Sequence, residues 1–140
     1  MLSIKKWNRL RQHAAKRYSE QIQNISSDKS ILKLPPVLGS ELSESSAREL
    51  EHVFHQYTIQ SAKREALALH LKAVGISTAI YYPTPLHQQP VHAAKAGSQN
   101  DLLQSEKVAS EVLSLPMFPG LTNEQIDRVC HEIQKWYGKS

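Results

Sequence analysis

The sequence predicts an α+β protein in which helices flank a small sheet. Three observations predict this class. The first 25 residues repeat apolar side chains at helical spacing, residues 52–59 have the β-branched and aromatic composition of a strand, and residues 122–136 combine a helix-start signature with one apolar face. No internal repeat is visible, so these elements are expected to form one structural unit.

The length and composition limit the class of protein. The chain has 140 residues, of which 40% are hydrophobic and 21% charged, so it can build one core and does not resemble a disordered chain. A single cysteine excludes an internal disulfide framework and favours a reducing, cytoplasmic location. Because no apolar run approaches the ~20 residues of a membrane span, the chain is expected to be soluble, without a membrane partner.

Residues 1–25 are predicted to form a long amphipathic linking helix. Six of the 17 Lys and Arg residues precede the first acidic residue, Glu20, and the rest of the chain has eleven basic against thirteen acidic residues. The net charge of +4 therefore belongs to this helix, which argues against a nucleic-acid partner. An acid-poor start is also typical of mitochondrial transit peptides, although here the apolar stripe continues past it. The stripe comprises Ile4, Trp7, Leu10 or Arg11, Ala14, Tyr18, Ile22 and Ile25.

Residues 26–51 are predicted to be a loop or connector, and residues 52–140 an α+β small domain. The connector is rich in Ser, with a Pro pair and one Gly, and it holds one short extended piece at residues 31–34. The small domain is predicted to start with a strand at 52–59, a helix that Ser61 caps and Gly75 ends, and then a second strand at 76–82. A third strand could lie between these two, so their relative direction stays open.

Two further helices complete the predicted small domain. Asp101 is expected to cap the first of them, with Leu113 still on its inward face, before an extended segment at 115–119. The second helix has the most complete signals in the chain, because Thr122 and Gln125 form the pattern of a capping box.

A few polar side chains occupy positions from which loops and strands present ligands. His55 and Tyr57 are expected on one face of the first strand, and His87 lies in a proline-bounded loop just after the strand that ends at Tyr82. Tyr and His side chains form hydrogen bonds with sugar hydroxyls or phosphates near neutral pH. Cys130 lies on the apolar face of the last helix and is expected to be packed rather than nucleophilic. These patterns alone identify neither a reaction nor a metal site.

Three separated motifs carry more specific information. They are HVFHQYTI at residues 52–59, GISTAIYYPTPLH at 75–87, and LSLPMFP at 113–119 followed by LTNEQI at 121–126. Together they closely resemble the C-terminal region of the DegT/DnrJ/StrS aminotransferases, which are pyridoxal-phosphate enzymes that aminate keto-sugars attached to nucleotides. The opening helix, over residues 7–18, is similar to the helix by which that family enters its small domain.

The resemblance implies the C-terminal domain fold of fold-type I transferases that depend on pyridoxal 5'-phosphate. It also implies substrate-binding roles for His87 first, Tyr82 second and His55 third. It implies no catalytic and no cofactor-binding residue in this chain, because the family's Schiff-base lysine and most phosphate contacts belong to a large domain that is expected to be absent here. Pyridoxal 5'-phosphate is accordingly not expected to bind covalently to this chain.

By this resemblance, the chain is the C-terminal part of an aminotransferase that uses a glutamate-type amino donor on nucleotide-linked keto-sugars, in sugar or polysaccharide biosynthesis. It is expected to be inactive in isolation. The expected partners are the nucleotide-sugar substrate of the complete enzyme and a large-domain polypeptide or a second copy in a homodimer. The alternative is a non-catalytic binding or regulatory module that retains the small-domain fold.

Overall fold

The computed structural model describes residues 2–23, 25, 32–35, 52–93 and 102–138. These ranges contain five α-helices, three strands and one 3₁₀ turn at Leu86–Gln88. In chain order the helices and strands are α1 (Leu2–Ile22), β1 (Leu32–Lys33), β2 (Tyr57–Ser61), α2 (Arg64–Ala73), α3 (Pro90–Ala93), α4 (Leu103–Glu111), β3 (Val112–Leu115) and α5 (Asn123–Tyr137).

The three strands form one antiparallel sheet in the order β1-β2-β3. Tyr57 of β2 lies opposite Leu115 of β3. On the other side of β3, the backbones of Ser114 and Ala79 exchange two hydrogen bonds, with N···O distances of 2.7 and 3.1 Å. β3 therefore lies between β2 and the segment that contains Ala79. The sequence allows for a third strand between these two segments, and β3 is that strand.

The sheet and the helices share one apolar core. Alternate residues of β2 are buried, as expected for a strand with one face against helices, and all four residues of β3 are buried. Tyr18 of α1 contacts Tyr57 with 5.0 Å between ring centroids, and the Ser61 hydroxyl lies 2.9 Å from the Tyr137 hydroxyl of α5. Helices α1 and α2 both contact α5. This arrangement confirms the predicted α+β class.

Polar bonds also fix α1 to α5. Both terminal oxygens of Asp127 accept hydrogen bonds from Arg17 at 2.7 Å, and Gln21 donates to the same carboxylate at 2.6 Å. Bidentate Arg–carboxylate pairs combine strength with a defined geometry. These bonds hold the pKa of Asp127 below its ordinary value, and the hydrogen bond from Arg17 is the largest cause. The C-terminal half of α1 is therefore tied to the last helix through both apolar and charged groups.

The local start and stop signals of the helices are mostly where the sequence places them. In the capping box of α5, the Gln125 N–H donates to the Thr122 hydroxyl at 3.3 Å and the Thr122 N–H donates to the Gln125 side chain at 3.0 Å. Gly75 has a φ of +79° just after α2, a left-handed conformation that suits a residue without a Cβ. The predicted cap at Ser61 is wrong, because Ser61 ends β2 and the N-cap of α2 is Lys63, without a side-chain cap bond.

The strand predicted at 52–59 is wrong in its position. The observed strand covers Tyr57–Ser61, and the residues from His52 to Gln56 have irregular backbone. Phe54 has a φ of +45°, outside the extended region, and buries its side chain in the core. The carbonyl that precedes it accepts a hydrogen bond from Arg11 at 3.0 Å. This segment is therefore bound to α1 rather than to a neighbouring strand.

Two other predicted elements differ in extent. The segment 76–82 pairs only through Ala79 and is not a continuous strand. The predicted helix that kept Leu113 on its inward face ends at Glu111, and Leu113 belongs to β3. The reason is tertiary: the backbone of β3 finds hydrogen-bond partners on β2 and at Ala79, which a continued helix would forgo.

Some sequence predictions lie outside the described residues. Asp101 and most of the connector at 26–51 are among them, whereas the short extended piece predicted at 31–34 appears as β1, Leu32–Lys33. Within the described ranges, no helix combines the length and the apolar character that crossing a membrane requires.

Candidate functional site

His87 lies in the 3₁₀ turn that follows the proline-rich segment. The backbone of Pro85 is extended, and its carbonyl accepts a hydrogen bond from the Gln88 N–H at 3.1 Å, which starts the turn. The Nε2 atom of His87 lies 2.9 Å from Oε1 of Glu106 on α4, and only 15% of the His87 side chain is exposed. The hydrogen bond from His87 is the largest cause that lowers the pKa of Glu106. The turn thus presents a histidine already held by a carboxylate.

Tyr82 and His55 are more exposed than His87. Tyr82 is 74% exposed and lies edge-on to Tyr81, with 5.8 Å between ring centroids. His55 lies in the irregular segment before β2 and lines a groove of about 310 Å³ together with Tyr81 and Met117. Within the described part of the chain, the lining of this groove includes neither His87 nor Tyr82. The structure therefore brings His55 to Tyr81 and leaves His87 outside this groove.

Two residues that drew attention in the sequence belong to the core. Tyr57 is fully buried, its hydroxyl lies 2.7 Å from that of Ser19, and burial raises its pKa to about 12. The predicted strand face shared by Tyr57 and His55 is wrong, because β2 begins only at Tyr57. Cys130 is buried, as expected, and burial raises the pKa of its thiol to about 12, so the thiol stays neutral at physiological pH.

Sequence reasoning missed Glu106 and Tyr81. Glu106 is separated from His87 by 19 positions, and a contact at that distance in sequence leaves no periodic signal. Tyr81 lies next to Tyr82, which the sequence analysis selected instead. The side chains of an extended segment alternate between two faces, but the sequence does not say which face meets the groove unless the partner strand is known. Both residues are placed by the packing of distant segments.

The described residues do not fit a covalent pyridoxal-phosphate site. Such a site needs a lysine amine held in a protected cavity, whose pKa burial can lower. In the described ranges every lysine is exposed: Lys5, Lys6, Lys16, Lys33, Lys63, Lys72, Lys107 and Lys135. The same ranges contain no group of three or more His, Cys, Asp and Glu side chains that could hold a metal ion.

The fold and this site define a class of protein when they are compared with known structures. The chain is similar to NtdA from Bacillus subtilis, solved with the bound cofactor PMP, with a TM-score of 0.73 and 30% identity over 96% of this chain and 29% of that chain. Residues 1–134 match the model of the DegT/DnrJ/EryC1/StrS aminotransferase family. The chain belongs to this family, which confirms the resemblance carried by the three motifs.

Curated relatives agree with this membership and show how much of a relative the chain represents. It is 51% identical over 86 residues to a pleiotropic regulatory protein of Geobacillus stearothermophilus, covering 61% of this chain and 23% of that protein. It is 50% identical over 84 residues to a UDP-N-acetyl-3-dehydro-α-D-glucosamine 3-aminotransferase of Acidithiobacillus ferrooxidans, covering 60% of this chain and 22% of that enzyme. The matches thus span less than a quarter of each relative.

Proposed function

We propose that this chain is the C-terminal, small-domain part of a pyridoxal-phosphate-dependent aminotransferase that acts on nucleotide-linked keto-sugars with a glutamate-type amino donor. The observation that carries the proposal is the family match over residues 1–134, together with matches that span less than a quarter of the Geobacillus and Acidithiobacillus relatives. The name of the Acidithiobacillus enzyme, which specifies a UDP-linked keto-sugar, supports the substrate class.

The proposed organisation has three parts: a linking helix at residues 1–25, a connector at 26–51 and a small domain at 52–140. The proposed partners are a large-domain polypeptide or a second copy in a homodimer, and the proposed location is the cytoplasm. Exposed apolar side chains on the first half of α1 support a further partner surface, because contiguous exposed apolar groups commonly mark interaction sites. These side chains are Ile4, Trp7 and Leu10.

In this proposal the chain contributes substrate contacts and leaves the covalent chemistry to its partner. His87 is the first candidate contact, because the 3₁₀ turn and the bond to Glu106 hold its ring in a defined position. Tyr82 is the second, since its exposed phenol can donate or accept a hydrogen bond. His55 is the third, at the edge of the groove that it shares with Tyr81. Binding and orientation of the sugar are the roles proposed for all three.

The test compares the isolated chain with a complemented enzyme. The 140-residue chain is titrated with pyridoxal phosphate, and no saturable imine absorbance band is expected, because its described lysines are all exposed. The chain is then co-expressed with the part of the Acidithiobacillus enzyme that lies outside the matched segment. Amino transfer from glutamate to the UDP-linked keto-sugar is expected only from the pair, and each polypeptide alone is the control.

Two results would contradict the proposal. The first is turnover, or a stoichiometric imine band, from the isolated chain. The second is failure of the pair to transfer an amino group although the two polypeptides co-purify. Co-purification from the native source with an unrelated protein, together with that failure, would favour the alternative of a non-catalytic binding or regulatory module.

A further inference from the structure

The contact between the 3₁₀ turn and α4 goes beyond the three residues predicted from the sequence. Oε1 of Glu106 lies 2.9 Å from Nε2 of His87. The hydrogen bond from His87 is the largest cause that lowers the pKa of Glu106, and Gln88 contributes in the same direction. The 2.9 Å contact with His87 is therefore the bond that attaches the turn to α4. The neighbouring Leu86 is 70% exposed, so the turn is anchored through its polar side chains rather than through apolar packing of that residue.

The chemistry of this pair determines which ring nitrogen carries the proton. The lowered pKa of Glu106 keeps its carboxyl group ionised at neutral pH, and an ionised carboxylate can only accept hydrogen bonds. The Nε2 atom of His87 must then be the donor. In a neutral imidazole only one nitrogen is protonated, so Nδ1 keeps its lone pair.

We propose that Glu106 is a positioning residue for His87, which it holds as the Nε2–H tautomer so that Nδ1 accepts a hydrogen bond from a hydroxyl group of the sugar substrate. The part that concerns the sugar rests on the proposed function, whereas the part that concerns the tautomer does not. A carboxylate that orients a histidine through its second nitrogen is a recurrent way to fix both the ring and its tautomer. Glu106 itself acts only through His87.

The tautomer can be measured directly on the full 140-residue chain. Nitrogen-15 and proton NMR spectra of the histidine rings are recorded at pH 8, and the His87 signals are assigned with His87→Asn. We expect two widely separated nitrogen shifts with the proton on Nε2. In Glu106→Ala the two shifts should move towards each other as the tautomers exchange, whereas Glu111→Ala, which removes a carboxylate from the end of the same helix, should leave them unchanged.

The wild-type spectrum can overturn the positioning role even if a variant fails to fold. Averaged nitrogen shifts, or a proton on Nδ1, would overturn the role of Glu106. Shifts that are identical in the wild type and in a folded Glu106→Ala chain would also overturn it.

The complemented enzyme tests the sugar contact separately. Loss of one oriented hydrogen bond should raise KM for the nucleotide-sugar up to about tenfold in Glu106→Ala, with little change in kcat. In the His87→Asn background the same substitution should have no further effect, because Glu106 acts through His87. Additive effects would contradict the proposal. Absence of amination by the wild-type pair would overturn the proposed function and the sugar contact, while the NMR result would stand.

Discussion

The two halves of α1 have the same apolar spacing and meet different surroundings. In the C-terminal half, Tyr18 and Ile22 are buried and reach β2 and α5. In the N-terminal half, Ile4 is 58% and Trp7 49% exposed, although both lie on the same predicted stripe. An amphipathic pattern therefore identifies a face that is suited to burial, but it does not say whether the chain itself supplies the covering surface.

The polar bonds of α1 follow the same division. Arg17 and Gln21 bond to Asp127 of α5, so the C-terminal half is attached to a helix. Arg11 and Gln12, near the middle, donate to backbone carbonyls of the irregular segment at 52–53, and Arg11 also donates to the Asn8 side chain of α1 itself. The exposed apolar half lies N-terminal to these contacts and is the half that we propose as a partner surface.

The largest expected effect is on the free energy of unfolding, which should fall for a substitution in the C-terminal half of α1 and hardly change for one in the N-terminal half. Tyr18→Ala should lower the free energy of unfolding by about 3–5 kcal/mol, because it removes a buried ring and leaves a cavity. Trp7→Ala should change it by no more than about 0.5 kcal/mol, since the ring is half exposed. Urea unfolding followed by circular dichroism measures both values. Equal losses would mean that the N-terminal half is also part of the core.

The second prediction tests what the exposed half contacts. Trp7→Ala should weaken binding of the chain to the proposed large-domain polypeptide by about thirtyfold, which is the loss of about 2 kcal/mol typical of an aromatic hot spot. Arg9→Ala, a polar change in the same half, is the matched control and should have little effect. Isothermal titration calorimetry provides both dissociation constants. An unchanged affinity in Trp7→Ala would show that this face is not the contact surface.

The smallest expected effect is a loss of stability at acidic pH, through the bonds between Asp127 and the C-terminal half of α1. Because the pKa of Asp127 is lowered in the folded chain, the unfolded chain takes up a proton first as the pH falls below the ordinary value of 3.8. The stabilising contribution of Asp127 is therefore complete above that pH and is lost as the pH falls through the folded pKa. Urea midpoints at pH 7, 4 and 3 should fall less steeply in Asp127→Asn than in the wild type.

Glu20→Gln, which removes an exposed carboxylate from α1, the helix that carries Arg17, is the control for that series. It should retain the acid dependence of the wild type. An acid dependence that Asp127→Asn leaves intact would show that the Arg17 pair does not contribute to the stability of the α1–α5 contact.

Sequence reasoning identified the features that depend on neighbouring residues. The capping box of α5 involves positions three apart, and the turn after α2 needs only a residue that tolerates a positive φ, so Thr122, Gln125 and Gly75 were recognised correctly. His87 was selected for its place in a proline-bounded loop, and its role as a substrate contact stays a prediction. Its partner Glu106 was missed because no local pattern links α4 to that turn.

By itself the sequence determined the α+β class, the stripe of α1, the start of α5 and the family. Only the tertiary structure decided where β2 starts, that Val112–Leu115 leave the helix to pair with it, and that half of the α1 stripe stays uncovered. The physical reason is the distance along the chain between the residues that determine each feature. Helix periodicity and caps depend on residues within one turn, whereas strand register and burial depend on which distant backbone and side chains arrive alongside.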